Sequence, residues 1–221
     1  NEITAIIGPN GAGKTTLLNV VSGFLDPDDG QVKLGDIELT HLAPHMIVRR
    51  GIVRTFQDLR LIELIGVIEN VMLARQGVAG EDLARALSRL GVKDAGRANR
   101  ERATDLLQLV GLSAKANDLA GTLSYGQQKL LTLAVCLATD AKILFLDEPV
   151  SGIDPQMAKK ILSLLVRLRD EGRTIIFIEH DLAAVRETAE RVIAMDEGRV
   201  VAEGPPAEVF EMPEILEAYV G

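Results

Sequence analysis

A chain of 221 residues is long enough to bury one sizeable core, and 47% hydrophobic with 25% charged residues is the balance of an ordinary globular protein. With 32 acidic against 24 basic residues, the net charge of −8 argues against a general affinity for nucleic acid or for an acidic lipid surface. The single cysteine, Cys136, can close no internal disulfide and lies in an apolar helical run, the pattern of a buried structural thiol in a reducing compartment. No apolar stretch nears the ~20 residues that span a bilayer, and no signal peptide is visible, so a membrane role calls for a partner.

The chain opens at Asn1, almost at its first strand, so a segment upstream is expected. The apolar run 3–7 predicts that strand, and residues 14–22 predict a helix closed by Gly23. Between them lies Gly8-Pro9-Asn10-Gly11-Ala12-Gly13-Lys14-Thr15-Thr16, which is G-x-x-x-x-G-K-[ST] in its strand-to-helix setting. Glycines at 8, 11 and 13 let the backbone turn tightly and aim its N–H groups inward, where the helix also points its positive dipole end. Lys14 supplies a mobile charge for β- and γ-phosphates, and the Thr15 hydroxyl is suited to Mg²⁺. The segment reads as a nucleoside triphosphate site.

Pro27-Asp28-Asp29-Gly30 predicts a turn, residues 31–34 and 37–39 a hairpin around Gly35-Asp36, and residues 52–56 a short strand. From Gly66 to Leu119 the apolar period becomes helical, with amphipathic stretches at 81–90 and 98–110 punctuated by Gly91, Gly96 and Gly111. Further helix is expected at 125–138, so residues 66–138 read as a helical subdomain inserted in an α/β frame. Ser124-x-x-Gln127 is a capping box. The cap does not explain Gly126 in the first turn, where Gly costs ~1 kcal/mol against Ala; close approach of the backbone to an anion does.

Strand 143–147 ends in Asp147, followed by Glu148. At the carboxyl end of a central parallel strand, Asp147 belongs near a P-loop Mg²⁺, and Glu148 is placed to hold a water in line with the γ-phosphate as general base. A helix is expected at 155–171, with Asp154 as N-cap, Pro155 in its first turn and Gly172 after its end. Strand 174–179 follows, then a hairpin of 192–195 and 200–202 turning at Glu197-Gly198.

The order P-loop, Gln57 after a short strand, Leu-Ser-Tyr-Gly-Gln at 123–127, Leu-Asp-Glu-Pro at 146–149, Ser-Gly-Ile-Asp at 151–154, then Glu179-His180-Asp181 resembles the nucleotide-binding subunit of ABC transporters along nearly the whole chain. The resemblance implies one nucleotide-binding domain over 1–221 of the P-loop NTPase (RecA-like) class: α/β, with a mostly parallel sheet core and the helical insert. It also implies that the N-terminal antiparallel β subdomain is incomplete here, because the family's edge strands and adenine-stacking aromatic lie ahead of residue 1. Gln57 would ligate Mg²⁺ beside Thr15 and Asp147 and sense the membrane partner. Ser124, Tyr125, Gly126 and Gln127 would form the signature motif that meets the γ-phosphate held by the opposite subunit. Asp154 would lie in the loop at the dimer seam, and His180 would contact the γ-phosphate and the attacking water. Val135 stands where an arginine is common in the family, so a packing or salt-bridge role is lost there.

Val53-Arg54-Thr55-Phe56-Gln57, residues 67–72, Leu-Ser-Tyr-Gly-Gln-Gln and the ending 213–221 are similar to one of the two ATPase subunits of the branched-chain (hydrophobic) amino acid importers, a group that also includes urea and amide importers. The implied cofactors are ATP and Mg²⁺. The implied partners are a second ATPase subunit (an identical copy or a paralogue), two transmembrane permease subunits and, indirectly, an extracytoplasmic solute-binding protein; no nucleic acid is expected. The implied place is peripheral, on the cytoplasmic face of the membrane. Among other classes, soluble ABC-type proteins of DNA repair or translation carry long coiled coils or tandem cassettes, and this chain has one set of motifs. A non-hydrolysing nucleotide sensor has no need of Glu148 with His180, and a P-loop kinase leaves 124–128 unexplained.

Overall fold

A computed structural model of the chain describes residues 1–55, 59–75, 89–213 and 215, with the backbone alone at 89–95. Two compact units emerge: Asn1–Gln57 together with Lys142–Gly221, and Asp58–Ala141.

The first unit is built on a six-stranded sheet of order β4-β5-β6-β1-β7-β8. Its strands are β1 (Ile3–Ile7), β4 (Ile52–Arg54), β5 (Ile143–Asp147), β6 (Thr174–Ile178), β7 (Arg191–Asp196) and β8 (Arg199–Gly204). Neighbours run parallel except for the antiparallel β7–β8 pair. All five residues of β1 are buried, the pattern of a central strand covered on both faces. Helix α1 (Lys14–Val21) follows β1, and a two-stranded hairpin of β2 (Lys33–Leu34) and β3 (Ile37–Glu38) leads to α2 (Pro44–Arg49). Leu18 of α1, Ile47 of α2, Ile52 of β4 and Phe145 of β5 share one apolar cluster with Ile6, Ile178 and Met195.

Helix α6 (Pro155–Asp170) joins β5 to β6 and buries Ile161, Leu162, Leu164, Leu165 and Leu168, one stripe at helical spacing. Asp154 caps it as expected: its carboxylate accepts the Gln156 and Met157 N–H groups, both at 3.0 Å. Helix α7 (Leu182–Thr188) is capped in the same way by Asp181, and α8 (Pro206–Val209) follows β8. The β7–β8 hairpin is longer than expected. Its turn residues Glu197 (φ 44°) and Gly198 (φ 79°) both lie in the left-handed region, so the tight turn lets pairing begin at once on either side.

The second unit is helical. Helix α3 (Val67–Ala74) packs on α4 (Arg89–Val110) and α5 (Tyr125–Ala138), and α4 also packs on α5; 3₁₀ turns stand at Ser113–Lys115 and Ala120–Thr122. The expected punctuation at Gly91 and Gly96 is corrected, because α4 runs unbroken through both. A glycine in a helix costs ~1 kcal/mol, whereas each large aliphatic side chain buried by α4 returns ~1.5–3 kcal/mol. Leu106, Leu107 and Val110 are such residues, in register with buried Asn99 and Ala103. Gly111 (φ 75°) does stand at the helix end. The part of the expected helix at 81–88, and Phe56 and Gln57 after β4, lie outside the described residues.

Candidate functional site

Strand register places the candidate reactive positions. Ile178 pairs with Ile6 on one side and with Asp147 on the other, so β1, β5 and β6 end side by side. The next residues along each strand, Gly8, Glu148 and Glu179-His180, therefore emerge on one rim, outside the carboxyl ends of parallel strands where α/β sheets bind ligands.

The P-loop crosses this rim. Gly8 (φ 151°) has no room for a side chain: a Cβ there would stand 2.1 Å from the Met195 carbonyl oxygen of β7. Gly13 (φ 91°) immediately precedes α1 and would bring a Cβ to 3.4 Å from Gly198 Cα. The Gly198 N–H donates to the Ala12 carbonyl at 3.1 Å. The β7–β8 hairpin thus backs the loop, a support that nothing local in residues 8–16 announces. Lys14 folds over its own loop, with Nζ donating to the Gly8 carbonyl at 2.7 Å and the Pro9 carbonyl at 2.8 Å. Burial pulls its pKa below the usual 10.5, while the nearby carboxylates of Glu148 and Asp147 act in the opposite direction.

Beside the loop opens a cleft of about 280 Å³ lined by Asn10, Gly11, Ala12, Gly13, Lys14, Thr15, Thr16, Glu148, Ile178 and His180. His180 Nε2 and Glu148 Oε1 stand 3.1 Å apart on its wall. Glu148 has a φ of 50°, a left-handed conformation costing ~1–2 kcal/mol for a residue with a Cβ. That turn takes its side chain off the line of β5, while its N–H still bonds the Ile178 carbonyl at 3.0 Å.

Asp147 is buried at the end of β5, with Oδ2 accepting from Arg54 Nη2 at 2.8 Å. Arg54 Nη1 also donates to Asn19 Oδ1 of α1 at 2.6 Å, and the Asp147 N–H donates to Thr55 Oγ1 at 3.0 Å. Sequence reasoning missed the role of Arg54. An arginine inside the short apolar strand Ile52-Val53-Arg54 was the available signal, since a buried guanidinium demands an acid.

The residues Ser124, Tyr125, Gly126 and Gln127 belong to the other unit, at the start of α5. The capping box is formed: the Gln127 N–H donates to Ser124 Oγ at 3.4 Å and the Ser124 N–H to Gln127 Oε1 at 3.0 Å. Gly126 is buried and Tyr125 is exposed, with Lys129 Nζ 5.3 Å from its ring centre. The P-loop, Asp147, Glu148 and His180 are therefore gathered in one unit, Asp154 serves as a helix cap in that same unit, and the 124–127 segment stands in the second.

The ABC transporter family matches residues 1–151. The chain is 36% identical over its whole length to the high-affinity branched-chain amino acid transport ATP-binding protein BraF of Pseudomonas aeruginosa, of which it covers 87%. It is 38% identical to the corresponding protein LivG of Escherichia coli K12, with 100% of this chain and 87% of that one covered. Among solved structures, a nucleotide-free ATP-binding cassette from an ABC transporter superposes with a TM-score of 0.84 at 32% identity, covering 100% of this chain and 88% of that one. A dimeric post-hydrolysis cassette bound to ADP and Pi superposes with a TM-score of 0.76 at 30% identity, covering 93% and 85%.

Proposed function

Because this chain belongs to the ABC transporter family as one of its ATPases, we propose that it powers an importer for branched-chain or other hydrophobic amino acids. The observation that carries the ATPase reading is the P-loop cleft with Lys14 in its lining and the Glu148–His180 pair, 3.1 Å apart, on its wall. The names of the relatives support the amino acid substrate.

In this reading the N–H groups of 8–16 and the Lys14 ammonium hold the β- and γ-phosphates of ATP, with Lys14 exchanging its two carbonyl partners for phosphate oxygens. Glu148 takes the proton of the attacking water, and His180, in contact with the same carboxylate, orients that water against the γ-phosphate. Thr15 and Asp147 offer hard oxygen donors, the set that suits Mg²⁺, with Gln57 as the third expected ligand. Among the described residues no group of three or more His, Cys, Asp or Glu side chains could hold a metal ion. With so few protein donors the ion would keep phosphate and water in its shell, and it would supply charge neutralisation at the phosphates.

ATPases of this family dimerise and work with membrane permeases, and the 124–127 segment of one subunit is assigned to the phosphates held by the P-loop of the second. The inserted helical unit, expected over 66–138, is assigned with Gln57 to contact with the permease. No helix of the described residues is long and apolar enough to cross a membrane; a peripheral place at the cytoplasmic face is proposed from the family resemblance alone.

Steady-state ATP hydrolysis measured against protein concentration, with Glu148→Gln in parallel, tests the reading. Turnover that rises more than linearly with concentration and vanishes in the variant is expected of a site shared between two subunits. Turnover per chain that is independent of concentration overturns the shared site.

A further inference from the structure

Glu179 is 1% exposed, on the residue that follows β6, and the mechanism above gives it no task. An ionised carboxylate buried so completely is costly unless its oxygens are bonded. Here Oε1 accepts the Val150 N–H at 2.9 Å, and Oε2 accepts the His180 N–H at 3.2 Å. Val150 lies two residues beyond Glu148, in the loop that runs on to Asp154. One side chain thus ties the segment carrying Glu148 to the segment carrying His180. Both of these groups are N–H donors, so the two bonds call on two acceptor oxygens. A carboxylate has them; an amide of the same shape has one acceptor and one donor.

We propose that Glu179 is a positioning residue: its two bonds fix the Val150 and His180 backbones against each other and so hold His180 within reach of Glu148. The inference rests on the reading of Glu148 and His180 as the groups that handle the attacking water. Glu179 itself touches neither nucleotide nor water in this scheme.

Single-turnover and steady-state ATP hydrolysis by the whole chain, comparing wild type, Glu179→Gln, His180→Ala and the double variant, tests the proposal. Glu179→Gln keeps the volume and loses one acceptor. Its kcat is expected to fall about ten- to a hundredfold, the scale of a small misplacement of a reacting group, with KM for ATP unchanged. In the His180→Ala background the same substitution is expected to cost nothing further. An equal fold-loss in both backgrounds, or a loss carried by KM, marks a merely structural role and overturns the proposal. So does full activity of Glu179→Gln beside an inactive His180→Ala. Full activity of His180→Ala instead overturns the underlying reading, and the proposal with it. Amide hydrogen exchange on the wild-type chain gives a test independent of any variant's folding. The Val150 and His180 amides are expected among the slowly exchanging ones, and exchange at the rate of free peptide at both overturns the clamp.

Discussion

Arg54 Nη2 lies 2.8 Å from Asp147 Oδ2, and the two side chains are only 4% and 5% exposed. The pair joins the end of β4, which leads to Gln57, to the end of β5, which leads to Glu148. Through Asn19 the same guanidinium also holds α1, the helix that the P-loop feeds. The strand ends that lead into the proposed nucleotide site, and the helix after its P-loop, are thereby held by one cation. Removing one partner of a buried pair leaves an uncompensated charge, which costs about 3–5 kcal/mol. Arg54→Met is expected to lower the urea midpoint by a corresponding amount, and adding Asp147→Asn to recover part of it, because the stranded charge is then gone. A single variant as stable as wild type contradicts this account.

Glu148→Gln removes the proposed base and leaves the phosphate loop intact. Turnover is expected to fall by ~10²–10⁴, the range of general base catalysis, while ATP affinity measured by fluorescent-nucleotide titration stays at the wild-type value. Unchanged turnover removes Glu148 from that role.

Lys14 carries both a binding prediction and a pH prediction. Lys14→Ala is expected to weaken ATP binding by roughly 1.5–3 kcal/mol for each charge-assisted bond lost, about tenfold or more. As for pH, burial lowers the folded-state pKa of Lys14 below 10.5, against the opposing pull of Glu148 and Asp147. The folded chain therefore holds this proton less tightly than the unfolded chain does. The cost of burying the charge is fully present below the folded pKa and is relieved as pH climbs from there towards 10.5. Denaturant unfolding of nucleotide-free wild type and Lys14→Met across alkaline pH is expected to show the difference moving in favour of wild type. A difference that is flat, or that moves the other way, contradicts the assignment of burial as the larger effect.

Gly8 and Gly11 offer a graded pair. At Gly8 an added Cβ meets the Met195 carbonyl at 2.1 Å, whereas at Gly11 it meets nothing within 4 Å and only the backbone conformation (φ 86°) resists it. Gly8→Ala is expected to cost at least the ~1–3 kcal/mol of an overpacked site and to displace the loop, with loss of ATP binding. Gly11→Ala is expected to cost less, on the order of the ~1–2 kcal/mol of a left-handed residue. Thermal melts and nucleotide titration of the two variants check the order, and a more stable Gly8→Ala reverses it.

What could be read along the chain was whatever a residue does to its near neighbours. The P-loop was legible because glycine is the residue for its positive φ angles, and because Lys14 and Thr15 follow at a fixed offset. The caps at Asp154 and Ser124 were legible because a cap bonds N–H groups two or three residues ahead. The apolar run of β1 announced a strand by composition alone; that it is central and buried on both faces came from the sheet order. The tertiary structure decided everything that depends on strands lying side by side. Arg54 and Asp147 are 93 residues apart and meet because β4 and β5 pair in parallel. Glu148 reaches His180, and Glu179 reaches Val150, because Asp147 and Ile178 share one register level. Met195 closes the space behind Gly8 because β7 pairs with β1. Even α4 was decided this way: its two glycines oppose the helix locally, and the apolar face it buries outweighs them. Local chemistry specifies which groups the site contains; the register of the parallel sheet specifies which of them can touch.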